Sequence, residues 1–177
     1  MIDDEELGLL YRLNSLVRYN NRAKIKDETV AAHSYFTSLF TMMICDKLQL
    51  SDEIKLIAMQ YSMIHDVPEI ITNDITHDAK QLIPELNDIL VPFENMFIQE
   101  HFPEQLDIFN VTLGKFDDNI FLARLVVKIA DILSVIQYCT NEKKLGNVSL
   151  EPLLNEALQD KAFFQKKLEE VLDKAII

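Results

Sequence analysis

The stretch Val126-Val127-Lys128-Ile129-Ala130-Asp131-Ile132-Leu133 is apolar on nearly every side of a helix. Such a helix is stable only when other elements cover it all round, so the stretch predicts a central helix. It belongs to a longer apolar run that Asp117-Asp118 opens and that reaches about Cys139. The covering elements are expected to be helices as well. Three glycines and five prolines in 177 residues leave little material for tight hairpins.

The other segments carry the narrower stripe of helices that lie on a core. Residues 3–19 read as one amphipathic helix through Leu7, Leu10, Leu13 or Asn14, and Val17, with acids in the first turn. A second helix is expected from about Thr29 to Leu48, with Val30, His33, Phe36, Phe40 and Ile44 on its stripe. Ser51 before Asp52 and Glu53 caps a third, which runs to His65 or Asp66. Pro68 lacks an N–H and its ring crowds the carbonyl of Ile64, so it forces a kink or a fresh short helix reaching about Asn73. A looser region then precedes a helix from about Pro84 to Glu100, which Phe102-Pro103 ends. Ser149 to Pro152 starts the last helix. No repeat, low-complexity tract or strand signal interrupts the pattern. The expectation is an all-α fold, one helical bundle over residues 1–177.

Charge narrows the partners. The formal net charge of −12 disfavours a nucleic acid polymer or an anionic membrane surface. No apolar run approaches the roughly 18–20 residues that span a bilayer, and Leu39 to Cys45 is far too short. The acidic start, Asp3 to Glu6, is the opposite of a signal peptide. Cys45 and Cys139 fall inside apolar helical patterns, as buried reduced thiols of a cytoplasmic protein do. A small phosphorylated ligand needs only local positive charge. Arg18, Arg22, Lys24 and Lys26 supply it with no acid among them, either for a phosphate or as a solvated loop.

Several polar residues sit where the pattern wants apolar ones. A carboxylate at Asp131 costs several kcal/mol unless a cation such as Arg124 or Lys128 pairs it or a metal binds it. His33 lies on the stripe of the second helix, where a lone histidine is more often a hydrogen-bonded core residue than a ligand. His65 is followed at once by Asp66 at a helix end. Together, two histidines and two aspartates make a mixed nitrogen and oxygen site that suits Mn²⁺, Co²⁺, Fe²⁺ or Ni²⁺, with Zn²⁺ and Mg²⁺ also possible. Glu69 is one helical turn past His65 and Asp74 ends the same segment, so either acid could orient water or move protons, or could simply cap and solvate. Lys80 is placed to meet a phosphate, whereas His77 and His101 read as surface and structural residues.

These residues resemble the HD-domain metal phosphohydrolases, whose pattern of a His, a His-Asp pair and a later Asp is met by His33, His65-Asp66 and Asp131. Within that group the chain looks like the bacterial 5′-deoxynucleotidase branch. Glu28-Thr29-Val30-Ala31-Ala32-His33-Ser34 is similar to its first motif. The second is matched from His65-Asp66-Val67-Pro68-Glu69 to Asp74-Ile75, and Lys128-Ile129-Ala130-Asp131-Ile132-Leu133 looks like the third. Arg18 stands where the branch has an Arg, about fifteen residues before the first His, and Lys80 falls at a familiar lysine. The branch has a Trp after that Arg; here the residue is Tyr19, and the chain has no Trp.

The resemblance covers residues 10–140 and implies a single-domain HD-type helical bundle. It implies a divalent metal on His33, His65, Asp66 and Asp131, phosphate on Arg18 and Lys80, the sugar near Tyr19, and proton chemistry shared by Glu69 and Asp74. The implied reaction is hydrolysis of a deoxynucleotide at the 5′ O–P bond to deoxynucleoside and phosphate, in a homo-oligomer. The compact phage dATP triphosphohydrolases have a similar appearance and cut the same bond, releasing triphosphate. A non-catalytic nucleotide-binding module would not need both Glu69 and Asp74. A cyclic-dinucleotide phosphodiesterase is disfavoured by the missing glycine-rich motif after the His-Asp pair.

Overall fold

A computed structural model describes residues 4–83, 85–110 and 117–175. Helix α1 spans Asp4–Tyr11 and passes into a 3-10 turn at Arg12–Asn14. The helices α2 (Val30–Lys47) and α3 (Asp52–Ile64) follow as an antiparallel pair, then the short α4 (Glu69–Thr72) and α5 (His77–Leu82). Next come α6 (Glu85–His101), a 3-10 turn at Pro103–Gln105 and α7 (Leu106–Phe109). The long helices α8 (Asp118–Lys144) and α9 (Glu151–Ala175) close the chain. Among the described residues there is no strand, only an isolated antiparallel bridge between Val17 and Thr29. No helix among them is long and apolar enough to cross a membrane.

Helix α8 is the central element the sequence requires. It packs on α2, α3 and α9, and Leu122, Ala123, Leu125, Val126, Val127, Ile129 and Ala130 are all buried along it. With Cys45, Ala58 and Leu168, all of these except Ala130 form the main core. The helix starts are chemical. Thr29 Oγ1 accepts the Ala32 N–H at 3.1 Å, Ser51 Oγ that of Ile54 at 3.3 Å, and Asp117 Oδ1 that of Asn119 at 2.8 Å. Each satisfies an N–H that the first turn leaves free.

Three expectations need correction. The helix expected over 3–19 stops at Tyr11. Leu9, Leu10, Leu13 and Leu16 still pack on Ile64, Val67, Ile70, Phe97 and Ile98, so the apolar period is real. The backbone nevertheless leaves the helix, because Arg18 N–H pairs with Glu28 O and Val30 N–H with Leu16 O, each at 2.9 Å. The looser region before residue 84 contains α5, and the segment after Phe102 contains α7. Helix α8 continues past Cys139 to Lys144, since Glu142 is buried and its carboxylate accepts the N–H groups of Ile25 and Lys26 at 2.7 and 2.8 Å. Pro68 starts a fresh helix, and Cys45 and Cys139 are buried and free. Pro84 lies outside the described residues.

Candidate metal centre

Three helices converge at the middle of α8. His33 comes from the inner face of α2, His65 and Asp66 from the end of α3, and Asp131 from α8. One nitrogen or oxygen from each of His33, His65 and Asp66 lies within 4.8 Å of the others. His33 Nε2 is 3.5 Å from Asp66 Oδ2 and 3.2 Å from Asp131 Oδ1, which brings Asp131 to the same point.

The protonation pattern asks for a cation there. Ser62 O accepts a hydrogen bond from His65 Nδ1 at 2.8 Å, which assigns the proton to that nitrogen. The buried Nε2 has no hydrogen-bond partner and faces Asp66 Oδ2 at 3.3 Å; burial lowers the His65 pKa, but Asp66 and Asp131 outweigh it and raise it. His33 Nδ1 is 3.2 Å from Ser134 Oγ, and its Nε2 lies 3.5 Å from Thr37 Oγ1 and faces the carboxylates. Burial, with Arg18 nearby, lowers the His33 pKa and keeps its imidazole neutral. Burial opposes ionisation of Asp66, but His65, His33 and Arg18 outweigh it and hold the carboxyl well below the usual range. Asp131 is held low in the same way, chiefly by Lys128 and His33. Ionised carboxylates, beside imidazoles whose proton a metal ion can displace, are what a divalent metal requires.

A cavity of about 1050 Å³ opens on this centre. His65, Asp66 and Asp131 line it, as do Arg18, Tyr19, Glu69, Asp74 and Lys80, so the structure brings every predicted site residue but His33 to its wall. His33 is fully buried behind the others. Arg18 is held by Glu28 Oε2 at 3.0 Å, and that oxygen is 4.0 Å from His33 Nδ1. Tyr19 takes a left-handed backbone (φ 58°), and its N–H donates to Asp74 Oδ2 at 3.1 Å. Its ring stacks on Tyr138 at 4.9 Å, nine-tenths buried.

Glu69 and Asp74 differ in their surroundings. Glu69 Oε2 is buried without a partner. Burial, then Asp66 and Asp74, push its pKa up to about 9. Asp74 is engaged by the Tyr19 backbone. The basic loop divides as well: Arg22 lines the cavity, while Lys24 donates to Arg18 O at 2.7 Å and pairs with Asp27 at 3.3 Å.

Sequence reading missed two cations and one wall. Lys128, considered only as a partner for Asp131, pairs with its Oδ2 at 3.0 Å while its side chain is half exposed on the cavity. Arg124 lines the cavity too, stacked over the Tyr61 ring at 4.4 Å. The spacing of three from Lys128 to Asp131 on one helix was the available signal. Leu153, Ala157 and Phe164 bring α9 to the cavity wall, and no motif marked that helix.

Residues 7–172 match the model of the YfbR-like 5′-deoxynucleotidase family. No curated protein matches the sequence. Among solved structures, a conserved hypothetical protein from Pyrococcus furiosus is similar with a TM-score of 0.73 at 22% identity, over 97% of this chain and 99% of that one. A protein from Pyrococcus horikoshii OT3 gives 0.72 at 20% identity, over 97% and 94%. The cyanophage S-2L HD phosphohydrolase DatZ, bound to dA and one catalytic Zn²⁺ ion, gives 0.62 at 16% identity, over 96% and 98%.

Proposed function

Because the chain belongs to the YfbR-like 5′-deoxynucleotidase family, we propose that this deoxynucleotide phosphohydrolase cleaves the 5′ O–P bond of deoxynucleoside monophosphates, releasing deoxynucleoside and phosphate. The observation that carries the reading is the pair of metal-ligating atoms, His65 Nε2 and Asp66 Oδ2, facing each other at 3.3 Å beside His33 and Asp131. An imidazole nitrogen and a carboxylate oxygen at that distance repel unless a proton or a metal cation lies between them.

His33, His65, Asp66 and Asp131 are the residues that would hold the metal. The donor set suits Mn²⁺, Co²⁺, Fe²⁺ or Ni²⁺, and the catalytic Zn²⁺ of the cyanophage protein supports zinc as well. A bound divalent ion supplies Lewis acidity to the phosphate and makes water more acidic. Arg18, fixed by Glu28, and Lys80, also on the cavity wall, take the phosphate charge that the surrounding acids would otherwise repel. Glu69, with its unpartnered Oε2 on the cavity, moves the proton at the leaving 5′ oxygen. Asp74 holds the Tyr19 backbone, so that the pair forms the wall beside the sugar.

A second reading, hydrolysis of a deoxynucleoside triphosphate such as dATP to deoxynucleoside and triphosphate, is favoured by the cavity itself. At about 1050 Å³, with Arg22, Arg124 and Lys128 on its wall, it has room and charge for a longer phosphate chain. Incubating the Mn²⁺- or Co²⁺-loaded protein with dAMP, AMP, dATP and dGTP and identifying the phosphate product separates the two. Orthophosphate from dAMP supports the first reading and triphosphate from dATP the second. No turnover of any of them would sink both.

A further inference from the structure

We propose that Glu28 is a positioning residue whose carboxylate keeps the Arg18 guanidinium off the metal-binding aspartates, so that one site holds a divalent ion and a phosphate-binding cation side by side. The inference rests on the metal-centre reading above. It gives a role to a residue that acts only through its neighbours.

Arg18 has several acids within reach. Burial disfavours its charge, and Asp66, Asp131 and Glu28 are among the groups that offset this. Its side chain is only 12% exposed, so salt and water screen these attractions little. A guanidinium is a flat fork of donors that fits any carboxylate it can reach. Lys128 shows what a cation does here, pairing with Asp131 Oδ2 at 3.0 Å. Were Arg18 to pair with Asp66 or with the second oxygen of Asp131, it would take the atoms that a metal ion needs. The phosphate-binding cation is therefore also a competitor for the metal site.

Glu28 prevents that competition by geometry and by charge. Its Oε2 accepts Arg18 Nη1 at 3.0 Å. The main chains fix the pair as well, since Arg18 N–H donates to Glu28 O at 2.9 Å and Val17 bridges Thr29. Lys24 Nζ donates to the Arg18 carbonyl at 2.7 Å. Thr29 then caps α2, and His33 follows one turn later. The oxygen that holds Arg18 lies 4.0 Å from His33 Nδ1, so the guanidinium is set in place relative to a metal ligand. One arm of the fork is engaged by Glu28, which leaves other N–H donors for phosphate. The carboxylate also offsets the charge of Arg18 toward the ion, because a dication and a guanidinium in one buried site repel.

Equilibrium dialysis of the metal-free full chain against Co²⁺, with bound metal counted by elemental analysis, tests this without reference to turnover. Glu28→Gln keeps the shape and an acceptor but loses the charge. It is expected to bind Co²⁺ about 10- to 100-fold more weakly than the wild type, the usual effect of losing a group that supports a metal ligand. Removing the competitor as well, in the double variant Arg18→Gln with Glu28→Gln, is expected to restore most of the affinity. A Glu28 that merely supports the fold would leave the double variant no better than Glu28→Gln. Arg18→Gln alone is expected to bind Co²⁺ at least as tightly as the wild type, and it decides the matter if Glu28→Gln does not fold. Equal affinity in Glu28→Gln and wild type overturns the proposal, as does a double variant without recovery or an Arg18→Gln protein that binds more weakly. A wild type that binds no Co²⁺ overturns the metal-centre reading together with it.

Discussion

The backbone N–H of Tyr19 donates to Asp74 Oδ2 at 3.1 Å, joining the loop after the first 3-10 turn to the segment after α4. Tyr19 has a left-handed backbone there, which a non-glycine residue holds only when its surroundings fix it. Asp74→Ala removes the acceptor, at a cost of about 1–3 kcal/mol for a bond to a charged group. The expected result is a lower melting temperature together with a fall in kcat/KM, because Arg18 is the adjacent residue. A variant with unchanged melting and unchanged kcat/KM would show that this tie does not position the loop.

Removing the metal is expected to abolish turnover. Chelation followed by dialysis should leave a folded, inactive protein, and Mn²⁺ or Co²⁺ should restore it. Asp66→Ala should lower kcat by on the order of 10³-fold even with excess metal. Full activity in either case contradicts the assigned ligands, and metal content by elemental analysis checks the cause independently.

Lys128 touches Asp131 with one side of its ammonium and opens on the cavity with the other. If it contacts phosphate, Lys128→Met raises KM for a deoxynucleotide by about 10-fold or more. If it only steadies Asp131, metal affinity falls and KM at saturating metal does not change. Steady-state kinetics beside a metal titration distinguish the two.

Stability should depend on Glu142 in a defined direction. Burial opposes its ionisation, but Asn147 and the Ile25 and Lys26 N–H groups outweigh it, so its folded pKa is lowered. A lowered folded value gives stability that is present above the unfolded value of about 4.3 and is lost as pH falls through the folded one. Glu142→Gln should therefore melt roughly 3–6 °C lower at neutral pH. The gap should close under acid below the unfolded value. A gap that persists there would trace the loss to packing rather than to charge.

Much of the arrangement is legible in the sequence because the informative signals are local. The caps Thr29, Ser51 and Asp117 mark three helix starts, since each acts on an N–H two or three residues away. Pro68 breaks the chain after α3 because its ring acts on its own backbone. The first helix is misread for the complementary reason. Leu7 to Val17 keep a helical period to Val17, but the pairing of Arg18 with Glu28 and of Leu16 with Val30 joins residues more than nine apart, and no local preference reports it.

By itself, then, the sequence determined that α8 is central and that His33, His65, Asp66 and Asp131 are out of place in a plain core. Burial of a charge is costly wherever the chain goes, so an acid in an apolar run signals a partner. Only the tertiary structure decided which partners those are. It set His65 Nε2 against Asp66, left Glu69 Oε2 unpartnered while Asp74 was engaged, and turned Lys128 and α9 toward the same cavity. Distances of a few ångströms between helices far apart in the chain govern hydrogen bonding and ionisation, and those distances come from packing.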